Sequence, residues 1–413
     1  MDNERKMALD GPETSDWKTL RSVYNSAFFC SLGFFVVGFL IPIITYGPMN
    51  ASATQVALVF SLLTLGTAAF SPAAGRFAKR GRRREAIFLG AIIRAIAYGG
   101  MALSILLLDV NVLILNSLIW GLGAAFYRVG MDAEISERVL RENRAEAFGR
   151  REAATNRGNV IGAFVGFTVL FLFEDAVYVF LLYALTNLVG GYVVLRHRPL
   201  LEGLRTQPSG IAAESVIGLG IAALVVATAI DTFISALLSP FVELYILDQF
   251  TTDIMLVALV YLPGGIIAGT FGGSMGRFAD HQSKVSIVSV AVIIGAASTL
   301  GLVFIPAILP EPYNLLVIAL LFSIGMITGI MAYTVMSSVF GTAYEGRAGE
   351  GFGMFEAAMG FARFTAPLVG GLLWDYINPS APFILVGLSG FILVPIYVYG
   401  MKKYERALQQ RDS

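Results

Sequence analysis

Long apolar stretches separated by short polar loops run through almost the whole chain. Each is about 20 residues long, the length that crosses a hydrocarbon core of about 30 Å as an α-helix. We number these stretches spans 1 to 12. They lie approximately at residues 23–46, 55–75, 86–107, 111–133, 152–173, 177–195, 216–247, 254–274, 285–306, 314–339, 352–374 and 382–401. The pattern predicts an all-α membrane protein with twelve transmembrane helices.

The second half of the chain repeats the first. GRFAKRGRRR begins at Gly75 between spans 2 and 3, and GRFADHQSK begins at Gly276 between spans 8 and 9, an offset of 276 − 75 = 201 residues. FGRREAA at Phe148 and FGMFEAA at Phe352 repeat at an offset of 352 − 148 = 204 residues. The twelve spans therefore divide into two six-helix halves related by pseudo-symmetry.

The spans and the polar segments between them predict five regions. These are a cytoplasmic N-terminal tail at 1–22, a six-helix bundle at 23–195, a cytoplasmic linker at 196–215, a second bundle at 216–401 and a cytoplasmic tail at 402–413.

Basic residues lie on one side of the predicted membrane. With residues 1–22 inside, the inside loops and tails hold 29 − 4 = 25 of the 29 Lys and Arg residues, and the outside loops hold none. The other four lie within or at the ends of spans. Because Lys and Arg gather in cytoplasmic loops, both termini are predicted to be cytoplasmic in a multi-pass protein of the cell membrane. The polar first 22 residues lack the apolar core of a removable signal peptide.

Composition agrees with a membrane protein and argues against an enzyme. Hydrophobic residues make up 56% of the chain, charged residues 14%, and mean hydropathy is +0.73. A single cysteine, Cys30, excludes an intramolecular disulfide and offers no soft metal site. The sequence has no phosphate-binding glycine-rich loop, and because its two histidines, His197 and His281, lie in predicted loops, no Ser/His/Asp set can be assembled in one compartment. We expect no enzyme activity, cofactor or nucleic-acid partner, and a monomer that binds a small-molecule substrate, the lipid bilayer and, as a candidate coupling ion, protons.

The first polar hairpin resembles the signature of the major facilitator superfamily between helices 2 and 3, which reads Gly, three residues, an acid, Arg, any residue, Gly, Arg, Arg. Gly75 and Arg80 match it, whereas Lys79 replaces the acid and Gly81 comes one residue early. The second copy keeps the acid as Asp280. The resemblance covers almost the whole chain and implies two six-helix bundles around a site near the membrane midplane.

The hairpins have two interpretations. A basic cluster that cannot cross the bilayer fixes topology by itself. Alternatively, they form an inside latch, because in the family the hairpin acid lies near the positive N-terminus of helix 11. Lys79 would be repelled there unless an acid had moved to the helix, so we expect a charge-swapped latch. Its candidate residues are Gly75, Lys79, Arg80, Gly81, Arg82 and Arg83, with Glu356 opposite Lys79 or Arg80, and Asp280 opposite Arg150 or Arg151.

Ionisable residues within the spans are candidates for coupling or substrate binding. Asp231 lies near the bilayer centre in span 7, where ionised carboxylates are costly and usually functional, so we expect proton uptake there. The alternative is a structural hydrogen bond that pins span 7 to a neighbour. Arg94 and Arg363 are candidate gating residues.

Span 4 carries a second candidate set. Arg128 and Asp132 lie one turn apart and can pair, although Arg128 could instead extend to the inner headgroups. The family arginine linked to proton-driven transport is Ser117 here, which weakens proton coupling by analogy.

By resemblance, spans 1, 4, 7 and 10 should line a central cavity. The candidate lining residues are Phe35, Phe39, Tyr127, Phe233, Thr328 and Tyr333. An apolar, aromatic cavity suits a lipophilic or amphipathic solute, although these side chains could instead face lipid.

The predicted function is secondary active transport by alternating access. In span 11, Ala366, Pro367, Gly370 and Gly371 resemble the end of a motif that the family's exporters carry in helix 5, which favours export. Proton antiport through Asp231 is the candidate driving reaction. An importer or uniporter of the same fold, and a non-transporting sensor, are the alternatives.

Overall fold

The computed structural model describes residues 17–78, 82–138, 144–196, 219–261, 263–264, 266–267, 283–343 and 348–412. Regular secondary structure in these residues is entirely helical, which confirms the predicted fold class. Each predicted span contains a helix. In the first half the helices are Trp17–Ser31 and Phe34–Tyr46 (span 1), Ala53–Ala78 (span 2), Arg83–Leu107 (span 3), Val110–Arg138 (span 4), Arg144–Phe173 (span 5) and Ala176–Arg196 (span 6). In the second half they are Leu219–Leu238 and Val242–Gln249 (span 7), 254–261 (span 8), Lys284–Ile308 (span 9), Tyr313–Ala343 (span 10), Ala348–Tyr376 (span 11) and Ala381–Asp412 (span 12).

Length and apolar composition make this a multi-pass membrane protein. Eight helical segments of the described residues could cross a membrane by themselves, and the two helices of span 7 make a ninth candidate. Several helices extend beyond the apolar windows; span 4 continues to Arg138 and span 5 begins at Arg144. Arg150 and Arg151, placed in a loop by hydropathy, are therefore on the first turns of span 5. Helices project past the hydrocarbon core without any change in backbone hydrogen bonding, so hydropathy alone underestimates their length.

Two spans are broken near the middle of the molecule. Span 7 bends by 45° between Leu238 and Val242, where Pro240 cannot donate a backbone hydrogen bond. Span 1 is interrupted at Leu32 and Gly33. Gly162 of span 5 packs against this second break, since a Cβ at position 162 would overlap the Leu32 carbonyl group.

The helices pack mainly within each half. In the first half, span 4 packs against spans 2 and 3, and spans 5 and 6 pack against span 1. In the second half, span 12 packs against spans 7 and 9, and span 11 against span 7. Among the described residues, the largest contact between halves joins span 2 to span 11. The segment 197–218, which contains most of the predicted linker, lies outside the described residues, so the exact boundaries stay a prediction.

Candidate functional site

A central cavity of about 400 Å³ lies where the two halves meet. Leu63, one of its lining residues, is 63 − 53 = 10 residues from the start of span 2, or about 15 Å at 1.5 Å per residue. This depth is close to the middle of a bilayer core of about 30 Å. The cavity is lined by Val37, Gly38, Phe39, Ile41, Phe60, Leu63, Tyr98, Met101, Trp120, Asn159, Ser239 and Glu243.

The cavity wall is apolar except for a few polar groups. Glu243 carries the only carboxyl group among the lining residues and stands in the first turn of the short helix Val242–Gln249, just after the Pro240 break. The hydroxyl group of Tyr261 on span 8 lies beside that carboxyl group. Oδ1 of Asn159 is buried and has no hydrogen-bond partner in the described part of the chain. Buried polar atoms without partners are rare, so this oxygen is available to a bound ligand, whereas the Glu243 carboxyl group has the Tyr261 hydroxyl beside it.

Arg94 supports the cavity from behind Trp120. Its guanidinium carbon lies 4.9 Å from the Trp120 ring centroid and 5.1 Å from that of Tyr127. Its Nη2 donates a 2.9 Å hydrogen bond to the Cys30 carbonyl oxygen, two residues before the break in span 1. A break leaves carbonyl groups without their helical donors. Arg94 therefore satisfies a backbone group at this break and positions Trp120.

The two halves are in contact at the predicted outer end, where residues 47–52 and 377–380 form loops. The Trp374 ring of span 11 stacks on Phe241 of span 7 at 5.4 Å between centroids and meets Tyr46 of span 1 edge-on at 6.3 Å. Beside it, Asp375 accepts hydrogen bonds from the backbone N–H groups of Ala53 at 3.1 Å and Thr54 at 2.9 Å. A side chain of the second half thus caps a helix of the first half.

The family model of the Major Facilitator Superfamily matches residues 23–355. The chain belongs to this superfamily. It is similar to Multidrug resistance protein 1 of Bacillus subtilis (strain 168), with 22% identity over 373 residues that cover 88% of this chain and 92% of the relative.

Two solved superfamily structures share its fold. One is a bacterial homologue of the human lysosomal transporter Spinster, in an inward-facing and occupied conformation, with a TM-score of 0.65, 15% identity and coverage of 95% of this chain and 94% of that chain. The other is the human organic anion transporter MFSD10, with a TM-score of 0.64, 16% identity and coverage of 93% and 100%.

Within this superfamily fold, Asp231 lies away from the central cavity. It is not among the lining residues, and its carboxyl group faces the Tyr397 hydroxyl on span 12. Tyr397 is 3% exposed and belongs to an apolar cluster between spans 7, 9, 10 and 12. This is the contact expected of the structural alternative, in which Asp231 pins span 7 to a neighbouring helix.

The charged residues of span 4 are arranged differently from the simple i, i+4 pair. Asp132 forms an ion pair with Arg151 of span 5, whose second guanidinium nitrogen contacts Glu152. Arg128 is within electrostatic reach of Asp132, and its side chain is exposed. Arg151, expected opposite Asp280, is therefore engaged within its own half. Arg363 is exposed on span 11.

The residues predicted to line the cavity lie in different environments. Phe39 lines the cavity, whereas Tyr127 packs on Arg94 and lies 3.4 Å from the Ser26 hydroxyl. Phe233 packs against the main apolar core, and the Thr328 hydroxyl donates to the Ile324 carbonyl of its own helix at 3.0 Å. The side chains of Phe35 and Tyr333 lie outside the described set.

The predicted inside latch falls mostly on residues that are not described. Lys79, Arg80, Gly81 and Asp280 lie outside the described ranges, and the helix of span 11 includes Glu356 without its side chain being described. The remaining members show local contacts: Gly75 is within the helix of span 2, and Arg82 lies 3.7 Å from Glu85 and over the Phe77 ring. Arg83 and Arg150 also have partners. The charge-swapped pairing stays a prediction.

Sequence reasoning missed a buried ion pair at the predicted inner end. Nε of Arg84 lies 2.7 Å from Oε1 of Glu134, and the two side chains are 9% and 2% exposed. Arg84 also donates to the Val194 carbonyl at 3.4 Å, so the pair joins spans 3, 4 and 6. Glu134 could have indicated this pair from the sequence. It is an acid directly after the apolar stretch of span 4, where a buried carboxylate would need a basic partner.

Proposed function

We propose that the chain is a secondary active transporter that exports lipophilic or amphipathic small molecules by alternating access. The observation that carries this proposal is the central cavity, which combines aromatic and aliphatic walls with one carboxyl group. Such walls bind apolar surface without strict shape requirements, and a few polar groups orient the ligand. The similarity to a Bacillus multidrug resistance protein supports the same substrate class.

The carboxyl group of Glu243 favours a solute with a cationic or hydrogen-bond-donating part. An ionised carboxylate in an apolar cavity is costly unless a counter-charge or a proton neutralises it. MFSD10 is an organic anion transporter. An organic anion beside Glu243 would place like charges together. We therefore infer that this chain does not share that charge class.

Proton antiport follows from the same carboxyl group. When a substrate leaves, Glu243 needs a proton, and when a substrate enters, the proton must leave. Exchange of one for the other couples export to the proton gradient. In this proposal Glu243 replaces Asp231 as the coupling carboxyl, because Glu243 is among the residues that line the cavity and Asp231 is not.

The export direction rests on the similarity to a multidrug resistance protein, because importers and exporters that work by alternating access both pass through a form whose outer ends are in contact. We infer that the chain lies in the cell membrane with both termini in the cytoplasm, because its basic loops lie on the termini side. The cavity beneath Trp374 and Asp375 would then load from the cytoplasm or the membrane and release outward.

Reconstitution into liposomes with an acidic lumen tests the proposal, with ethidium as a lipophilic, permanently charged probe. We expect ethidium to accumulate in the lumen, and a protonophore or protein-free liposomes to abolish accumulation. Movement of ethidium out of the acidic lumen would support an importer driven by protons. A complete lack of gradient-dependent movement for ethidium and for uncharged lipophilic dyes would support the sensor alternative.

A further inference from the structure

A second apolar hollow of about 320 Å³ lies between spans 5 and 8, on the membrane-facing side of the contact between the halves. We call it the lateral groove. Its walls include Phe164, Phe167, Thr168, Phe171, Ala258 and Leu259. The Thr168 hydroxyl donates to the Phe164 carbonyl of its own helix at 2.7 Å. The groove therefore offers no free polar side chain at this position and suits hydrocarbon.

The lateral groove opens toward the lipid. Phe164 is 53%, Phe171 72% and Leu259 53% exposed. Phe167 lies 173 − 167 = 6 residues, or about 9 Å, before the outer end of span 5. This depth is within the hydrocarbon core rather than among the headgroups. Acyl chains of the predicted outer leaflet therefore face the groove directly.

Aromatic rings in direct contact lie between the lateral groove and the central cavity. Phe39 lines the cavity, and its ring meets Phe167 of the groove edge-on at 5.4 Å between centroids. On the other side Phe39 meets Tyr261 of span 8 at 6.4 Å. Phe39 and Phe167 belong to the first half of the molecule, and Tyr261 belongs to the second. An edge-on contact contributes about 0.5 to 1.5 kcal/mol beyond the burial of the two rings, and the Phe39 side chain, 2% exposed, must leave its buried position before the rings separate.

We propose that the lateral groove is a portal through which the alkyl chain of a single-chain amphipathic solute passes between the bilayer and the central cavity. Phe39 and Phe167 form its gate. The alkyl chain lies in the groove while the polar head stays at the membrane surface, and displacement of the Phe39 and Phe167 side chains admits it beside Glu243. The route to the cavity rests on the proposed transport function, whereas occupancy of the groove by an alkyl chain does not.

Photolabelling measures occupancy independently of transport. The probe is a stearic acid that carries a diazirine on its alkyl chain, mixed into liposomes that contain the protein. We expect groove residues to be labelled at least fivefold more than the exposed lipid face of span 6 at Leu185 and Tyr192. Equal labelling of the two faces would overturn the proposal.

Two substitutions should change labelling in opposite directions. Ala258→Leu narrows the groove and should lower groove labelling at least threefold. Phe167→Ala removes one ring of the gate and should increase labelling of Met101 in the cavity. Ala258 is 8% exposed, so the fall in labelling counts only if thermal unfolding of Ala258→Leu in detergent matches that of wild type. Ala296→Leu, the same change at a buried position of span 9, is the matched control and should leave groove labelling unchanged.

Transport measurements on Ala258→Leu distinguish an effect on the portal from an effect on the central cavity. The probes are two dyes with the same nitrobenzoxadiazole head, one with an octadecyl chain and one with a butyl chain, whose movement is followed by dithionite reduction. We expect transport of the octadecyl dye to fall at least tenfold while the butyl dye is unaffected. Equal loss of both dyes would assign Ala258 to the rocking movement and overturn the portal. If wild-type protein moves neither dye, the transport function fails, and the labelling result decides the portal alone.

Discussion

The Asp375 carboxylate accepts a hydrogen bond from the Thr54 backbone N–H at 2.9 Å and another from the Thr54 hydroxyl at 2.7 Å. The two residues lie 321 positions apart, in opposite halves of the molecule. An acid at a helix N-terminus satisfies free N–H groups and interacts favourably with the helix dipole. Gly371, one turn before Asp375, lets the helices approach, because a Cβ there would lie 2.8 Å from the Thr54 Cα atom. Together they join the two halves at the predicted outer end, and we expect this contact to keep that end closed.

Asp375→Ala should open the outer end more often. Loss of a helix cap costs about 0.5 to 2 kcal/mol, which shifts the equilibrium between closed and open forms by a factor of about 2 to 30. The measurement is the rate at which a membrane-impermeant maleimide reacts with the Ala57→Cys variant, since Ala57 is fully buried in this structure. Cys30→Ser is included in every variant so that the introduced cysteine is the one that reacts.

Asp253→Ala is the control for that experiment. Asp253 accepts a 2.8 Å hydrogen bond from the Met255 N–H group within its own helix start, so its removal does not separate the halves. An unchanged rate for Asp375→Ala would contradict the closing role of this contact.

Glu243→Gln should abolish proton-coupled transport, because it removes the only carboxyl group among the residues that line the cavity while keeping the side-chain shape. We expect the initial rate of gradient-driven ethidium transport to fall at least tenfold, equivalent to about 1.4 kcal/mol or more. Asp231→Asn keeps a hydrogen bond to Tyr397 and should retain most activity. The reverse pattern would restore Asp231 as the coupling residue.

The sequence predicted the helices and the two halves because apolar length, basic loops and an internal repeat each leave a local pattern. It did not predict which acid faces the cavity. A straight span 7 places Asp231 near the midplane and Glu243 near the mouth, whereas the 45° bend at Pro240 redirects the short helix that carries Glu243. Pro240 was visible, but a proline does not reveal the direction of a bend.

Contacts between segments that are distant in the chain were even harder to predict from the sequence. Asp375 follows an apolar window and reads as an ordinary loop acid until the N-terminus of span 2 is placed beside it. Arg94 likewise has no sequence-adjacent partner, because it binds a main-chain carbonyl group that is free only when span 1 is broken. Hydropathy reports burial along one helix and carries no information about breaks in another.

Removal of one partner of the buried Arg84–Glu134 pair should destabilise the first half. Glu134→Gln leaves a buried guanidinium without its counter-charge, and such changes cost about 3 to 5 kcal/mol in free energy of unfolding. Denaturation of the purified protein in detergent measures the change. Glu85→Gln breaks the exposed Arg82–Glu85 pair instead and should stay within about 0.5 kcal/mol of wild type.

A double variant separates charge burial from packing at the same site. Arg84→Met with Glu134→Leu removes both charges and should recover most of the stability lost by Glu134→Gln, since apolar replacements of buried ion pairs are often neutral. A double variant less stable than the single one would show that the remaining contacts of Arg84, including the Val194 carbonyl, dominate.

Arg94→Met should destabilise the break in span 1 and loosen Trp120. The substitution leaves the buried Cys30 carbonyl without its donor, which costs about 1 to 3 kcal/mol, and removes the cation–π contacts with Trp120 and Tyr127. Arg94→Lys keeps the charge but not the planar group that stacks on rings, so its stability should be intermediate. Lys403→Met removes an exposed cation–π contact with Tyr399 and should change stability by less than about 0.5 kcal/mol. If Arg94→Met kept wild-type stability and binding yet lost transport, Arg94 would be a gating residue rather than a support for the cavity.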